Sequence, residues 1–155
     1  MTAASALPLI FAWGNPSRGD DALGPLFLDG LAALAGTHRG WQGYEALTDF
    51  QLQIEHALDL QARPRLLFVD ASIDCAAPFV LSHIQAARDA SFSSHSLSPQ
   101  ALLQVYRDLE GKDPPPAQLL AIRGERFELG EGLSAAATAH LEAALAWAVT
   151  WVNEG

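Results

Sequence analysis

Three places in the chain bring together residue types that could do chemistry. These are the pair Asp20-Asp21, then Asp70 at the end of the apolar run Leu66-Leu67-Phe68-Val69, and His95 in the serine-rich stretch from Ser91 to Ser98. The acidic pair closes the run Gly14-Asn15-Pro16-Ser17-Arg18-Gly19, which has the G-x-x-x-x-G spacing of a phosphate-binding loop. Such a loop continues with Lys and then Ser or Thr, whereas the next two residues here are carboxylates that would repel phosphates. A nucleotide therefore fails on charge. A carboxylate presented by a glycine-rich turn suits a metal ion or a cationic group instead.

Each candidate also has a plainer role. Asp20 or Asp21 would cap a following helix and meet its dipole, worth about 0.5–2 kcal/mol, but one acid is enough for that. Asp70 alone would be a solvated strand terminus, and His95 alone a surface histidine. Taken together, Asp21, Asp70 and His95 supply two carboxylates and one imidazole from three loops. That oxygen and nitrogen set without thiolate suits first-row divalent ions such as Ni2+ or Zn2+. Three protein ligands leave positions open for water or substrate, as in catalytic metal sites.

The remaining polar residues carry less. Cys75 lies near Asp70 without a base in sequence and reads as a packing residue. No Gly-x-Ser-x-Gly elbow exists to support a hydrolase serine. Glu55-His56 reads as the exposed face of an amphipathic helix or as a partner contact. His38, His83 and His140 have no companions, and Glu125, Glu128 and Glu131 read as solvated surface.

The elements that must position these groups follow from hydrophobic patterning. Leu9–Trp13 is a continuous apolar run stopped by Gly14-Asn15-Pro16, which predicts an inner strand. A helix is expected from Asp21 with Leu23, Leu26, Phe27, Leu31 and Leu34 on one face and Gly36 ending it. Trp41 to Leu47 predicts a second strand. Phe50 to Leu60 predicts a helix with Leu52, Ile54, Ala57 and Leu58 packed inward. Strands are expected at Leu66–Val69, ending on Asp70, at Phe79–Ile84 and at Gln118–Ile122. Ser98-Pro99 opens a helix to about Leu109, with Gly111 and Pro114-Pro115-Pro116 as the break after it, and Ser134 caps a long helix to Val152. The alternation predicts an α/β fold: a three-layer α/β/α sandwich around a mostly parallel, or mixed, five-stranded sheet. Ligands in such folds collect beyond the carboxyl ends of the strands, where Asp20/Asp21 and Asp70 would stand.

Composition narrows the classes further. The chain has 155 residues, half of them hydrophobic, with 9 Lys+Arg against 18 Asp+Glu and a formal net charge of −9. The length suits a single domain over residues 1–155 with a full core, and the apolar fraction excludes a disordered chain. Its one lysine, Lys112, leaves no basic cluster for a nucleic acid or an anionic membrane surface. One cysteine excludes an internal disulfide and fits a reducing compartment. No uncharged stretch approaches the roughly 20 residues that span a bilayer, and the first residues lack the basic start of a signal peptide. A cytoplasmic protein is expected.

Four motifs in register resemble the [NiFe]-hydrogenase maturation proteases. They are Gly14 to Gly24 with its acidic pair, Phe68-Val69-Asp70-Ala71, His95-Ser96-Leu97-Ser98-Pro99, and Ala121 to Ser134 at the C-terminal side. The chain departs from the family at Ala22, where a glycine is usual after the acidic pair. The resemblance implies a metal-dependent, aspartic-type endopeptidase. Its activity would remove the C-terminal extension of the hydrogenase large-subunit precursor after nickel insertion. It also implies that Asp21, Asp70 and His95 are the metal-contacting and catalytic residues. The Ni2+ would be supplied by the substrate, with Zn2+ or Cd2+ as other ions that fit the same ligands. Phe50 to Ala57 resembles the members that serve cytosolic NAD-linked hydrogenases. A metal-dependent amidase or peptidase with another substrate, and a non-catalytic metal-binding escort module, are the alternatives that precursor cleavage would separate.

Overall fold

The computed structural model describes residues 7–35, 37, 43–88 and 97–154. Five strands form one sheet: β1 (Leu9–Trp13), β2 (Glu45–Asp49), β3 (Leu66–Ser72), β4 (Phe79–Ile84) and β5 (Ala117–Arg123), in the order β2-β1-β3-β5-β4. β1 pairs in parallel with β2 and β3, and β3 with β5, while β4 runs antiparallel on the edge beside β5. The sheet is thus mixed. Among the described residues three α-helices flank it: α1 (Leu23–Ala35), α2 (Pro99–Glu110) and α3 (Ala135–Asn153).

The apolar runs of β1 and β3 are buried because both faces of the sheet are covered. Alternate residues face opposite ways. Ile10, Ala12, Leu67, Val69, Leu120 and Ile122 pack under α1 and α3. On the other face Leu9, Phe11, Trp13, Leu66 and Phe68 pack under α2 and a 3₁₀ segment, Ile54–Leu60. This is the three-layer arrangement expected. Both serine caps form as well: Ser98 accepts the Ala101 N–H at 3.0 Å, and Ser134 accepts the Ala137 N–H at 3.1 Å.

Several boundaries and faces differ from expectation. β2 covers Glu45–Asp49 rather than Trp41 to Leu47, because pairing with β1 sets its extent. Trp41 lies outside the described residues, as do Gly36, His38 and His95. β3 does not end on Asp70 but runs to Ser72, since β5 continues to pair with it on one side. The helix expected from Asp21 is a 3₁₀ turn, Gly19–Ala22, followed by α1 from Leu23, and no side chain caps that turn. Phe50 to Leu60 is not an α-helix. It buries Leu52, Ala57 and Leu60 but leaves Ile54 and Leu58 exposed. The buried Ala57 and Leu60 are three apart, the period of a 3₁₀ turn rather than of an α-helix.

Candidate active site

The chain leaves β1 for β2 on one side of the sheet and returns to β3 on the other, so the topological switch point lies between β1 and β3. The two carboxylates singled out from sequence meet there. The β1–β3 ladder stops at Ala12↔Val69, while β3 goes on pairing with β5 as far as Ser72↔Arg123. Asp70 is therefore the first residue of β3 whose β1 side has no strand partner. Being two residues past Phe68, it projects on the Trp13 and Phe68 face.

Asp21 reaches the same crevice from the loop after β1. Its Oδ2 accepts the Asn15 N–H at 2.7 Å. Gly14 makes the loop close enough. Its φ is +146°, and a Cβ there would lie 2.1 Å from the Asp21 carbonyl oxygen and 3.3 Å from its Oδ1. The Gly14 N–H also donates to the Asp49 carbonyl at 3.1 Å, tying the end of β2 to the same turn. On the far side Gly24 lets α1 start against β1, where a Cβ would sit 2.2 Å from the Trp13 carbonyl oxygen.

Asp20, adjacent in sequence, has a different role. Its side chain is fully buried and points away from the crevice into the segment before α3. Oδ2 accepts the N–H groups of Glu125 and Arg126 at 2.6 and 3.0 Å and the Ser134 hydroxyl at 2.8 Å, and Oδ1 accepts the Ser134 N–H at 2.7 Å. Burial alone would raise its pKa, but these bonds from Ser134, Glu125 and Arg126 outweigh burial and hold the carboxyl below the usual range. Glu125 and its neighbours, expected to be only solvated surface, thus contribute their backbone to a buried carboxylate while their side chains stay exposed.

The electrostatics of Asp70 are the opposite. Burial first, and then the charge of Asp21, push its pKa up to about 7, against a smaller pull downward from the Ala71 N–H. Two interacting carboxylates, one retaining a proton near neutrality, could hold a divalent cation, which would remove the repulsion that the proton otherwise relieves. His95 lies outside the described residues, and no group of three His, Cys, Asp or Glu side chains in metal-binding reach occurs among the described ones.

The sheet also brings up residues that sequence reasoning did not select. Asp49 is level with Trp13 across β1–β2, and Asp70 is one step beyond the Ala12↔Val69 pair. Asp49, Trp13 and Asp70 therefore form a row on one face, its ends two strand spacings or roughly 10 Å apart. His56 joins this row. Its Nδ1 accepts the Gln53 N–H at 2.9 Å, its Nε2 stands 3.3 Å from Asp49 Oδ2, and its ring sits edge-on to Phe11 at 4.6 Å. The expectation of an exposed helical face at Glu55-His56 is wrong for the histidine. His140 likewise has a companion, with Nδ1 2.9 Å from the Arg123 carbonyl oxygen. Cys75 is half-buried, its Sγ 3.5 Å from the Ala121 carbonyl oxygen.

No protein-family model and no curated protein matches the chain by sequence. Solved structures do match. The hydrogenase maturating endopeptidase HybD from E. coli aligns with a TM-score of 0.72 at 21% identity, covering 96% of this chain and 93% of that one. The [NiFe] hydrogenase maturation protease HycI from Thermococcus kodakarensis KOD1 aligns with a TM-score of 0.71 at 18% identity, over 99% and 96% of the two chains. The hydrogenase 2 maturation peptidase of a Thaumarchaeota archaeon gives 0.65 at 19% identity, over 94% and 97%. The chain has the fold of the hydrogenase maturation endopeptidases. No helix among the described residues is long and apolar enough to cross a membrane.

Proposed function

We propose that this chain is an endopeptidase that removes the C-terminal extension of a [NiFe]-hydrogenase large-subunit precursor after nickel insertion. One observation carries the reading: Asp21 and Asp70 converge at the β1/β3 switch point of a fold that it shares with hydrogenase maturation endopeptidases. Nickel in this scheme is part of the substrate. Asp21, Asp70 and His95 would take it as ligands and so hold the adjoining peptide in the crevice. An ion there polarises a carbonyl or lowers the pKa of a water. Asn15 fixes the Asp21 carboxylate through its N–H, and Asp70 gives up its proton as the cation arrives. A site that borrows its metal acts only on loaded precursors. The enzyme is then metal-dependent through its substrate, of aspartic type by its two carboxylates, and works as one cytoplasmic domain. The Phe50 to Ala57 segment supports a cytosolic NAD-linked hydrogenase as the source of the precursor.

The test is to incubate the protein with nickel-loaded and nickel-free precursor and to weigh the products by mass spectrometry. Shortening of the loaded form alone is expected. Equal shortening of both overturns the nickel requirement, and binding of the loaded form without shortening makes the protein an escort rather than a peptidase.

A further inference from the structure

Large apolar side chains stand exposed around the crevice. Phe50 and Ile73 are the first residues past β2 and β3, with 65% and 55% of their surface accessible. Leu129, 66% accessible, lies on the segment bridged to Arg18 in the loop that carries Asp21. Ile54, 60% accessible, opens the 3₁₀ segment that turns back from Phe50. Four parallel strands, β1, β2, β3 and β5, end on this side, and the four residues sit on the three connections that follow β2, β3 and β5, around Asp21 and Asp70 rather than on one helix face.

The same loops are acidic. Glu55, Asp74 and Glu128 are exposed and carry no ion pair among the described residues, while two of the nearby cations, Arg123 and Arg126, are already engaged by Glu125 and Glu131. An apolar ring with an acidic rim, continuous with the candidate site, complements a protein surface that is apolar at its centre and basic at its edge. These residues flank the crevice from three connections instead of lining one groove, an arrangement that suits a broad folded surface more than a single extended strand.

We propose that Phe50, Ile54, Ile73 and Leu129 form the docking surface for the folded body of the polypeptide substrate, whose contact face carries apolar residues rimmed by Lys or Arg. This rests on the endopeptidase reading above. The surface binds the body of the precursor, while Asp21 and Asp70 take the segment to be cut. Recognition is thereby divided between a broad contact and a small site.

The experiment compares the unmodified protein with the double variant Phe50→Ser/Ile54→Ser, using initial rates of precursor shortening over a range of nickel-loaded precursor concentrations. Because both side chains are solvent-exposed, the melting temperature should stay within about 2 °C of the parent. KM should rise by roughly tenfold or more with kcat within about twofold. KM should also rise with ionic strength in the parent protein, as rim charges are screened. An unchanged KM in the double variant overturns the docking surface and leaves the peptidase reading intact. If the unmodified protein shortens no precursor, the peptidase reading falls, and sedimentation velocity of the mixture then decides the surface. A complex lost in the double variant upholds it, and no complex overturns it. Sedimentation of the protein alone covers a second copy as occupant: a dimer that the substitutions dissolve assigns the ring to self-association and overturns the proposal.

Discussion

The Asp20 carboxylate takes both the backbone N–H and the hydroxyl of Ser134, at 2.7 and 2.8 Å, across 114 positions of sequence. The same serine hydroxyl accepts the Ala137 N–H, so one pair of side chains joins the loop after β1 to the start of α3. Of two adjacent acids, this one is a structural clamp that leaves its neighbour free for the crevice.

Asp20→Asn should therefore destabilise the protein. An amide places an NH₂ where at least one of four convergent donors expects an acceptor, leaving a buried donor unpaired at a cost of roughly 2–4 kcal/mol. For a chain of this size that is a fall in Tm of roughly 5–12 °C, measurable by circular dichroism at pH 7. Since the folded-state pKa of Asp20 is depressed, its contribution is present above the unfolded value and is lost as pH falls through the folded one. The Tm gap between parent and variant should accordingly narrow in acid. A gap that is absent at pH 7 removes the clamp.

This pairing explains what the residues alone could and could not say. Continuous apolar runs mark β1, β3 and β5 because strands covered on both faces must be apolar throughout, and they locate Asp70 toward the carboxyl end of the central strand. Asp20 and Asp21 were indistinguishable, because the donors that separate them come from Glu125, Arg126 and Ser134, far away in sequence. Leu58 reads as core because its spacing imitates a helical face, whereas a 3₁₀ turn buries every third residue, here Ala57 and Leu60, and turns Leu58 outward; Ile54 is in phase with the buried pair but stands at the first position of the segment, where it is exposed. The contact of Asp49 with His56 has no signal in the sequence, since it joins the end of β2 to the 3₁₀ segment that follows.

Gly14→Ala tests how closely the loop must approach Asp21. The new methyl would meet the Asp21 carbonyl at 2.1 Å from a backbone at φ +146°, so the loop must shift. A loss of roughly 2–3 kcal/mol in urea-unfolding free energy is expected, together with a fall in precursor processing of at least about 10²-fold from displacement of Asp21 by an ångström or so. Gly24→Ala strikes the Trp13 backbone instead and should cost comparable stability. Full processing by Gly14→Ala would show that the position of Asp21 is not set by this contact.

His56→Ala removes three contacts at once: the Gln53 N–H loses its acceptor, Asp49 its partner and Phe11 its edge-on ring. We expect a loss of roughly 1–3 kcal/mol, of which His56→Phe should recover the aromatic part, about 0.5–1.5 kcal/mol, and no more. Chemical denaturation of both variants checks the division. Equal losses would mean that the ring stacking contributes nothing.

Asp70 sets the last expectation, because its position is unfavourable for the folded protein. Half-buried and facing Asp21, it has a folded-state pKa of about 7, well above its ordinary value of 3.8. Between those two values the unfolded chain loses its proton while the folded chain keeps it, so the unfolded state binds fewer protons and stability falls as pH rises. Above about pH 7 both states are ionised and the penalty is constant, on the order of 2–4 kcal/mol. Asp70→Asn abolishes it. The variant should be little different from its parent near pH 4, gain steadily to pH 7, and remain more stable by that amount at pH 8, as read from urea midpoints. The same substitution, like Asp21→Ala and His95→Ala, should abolish precursor processing while the far-ultraviolet circular dichroism stays native. A more stable protein that no longer processes its substrate is the behaviour of a carboxylate kept for chemistry rather than folding. An Asp70→Asn variant that is less stable at pH 8, or still active, would make Asp70 part of the scaffold.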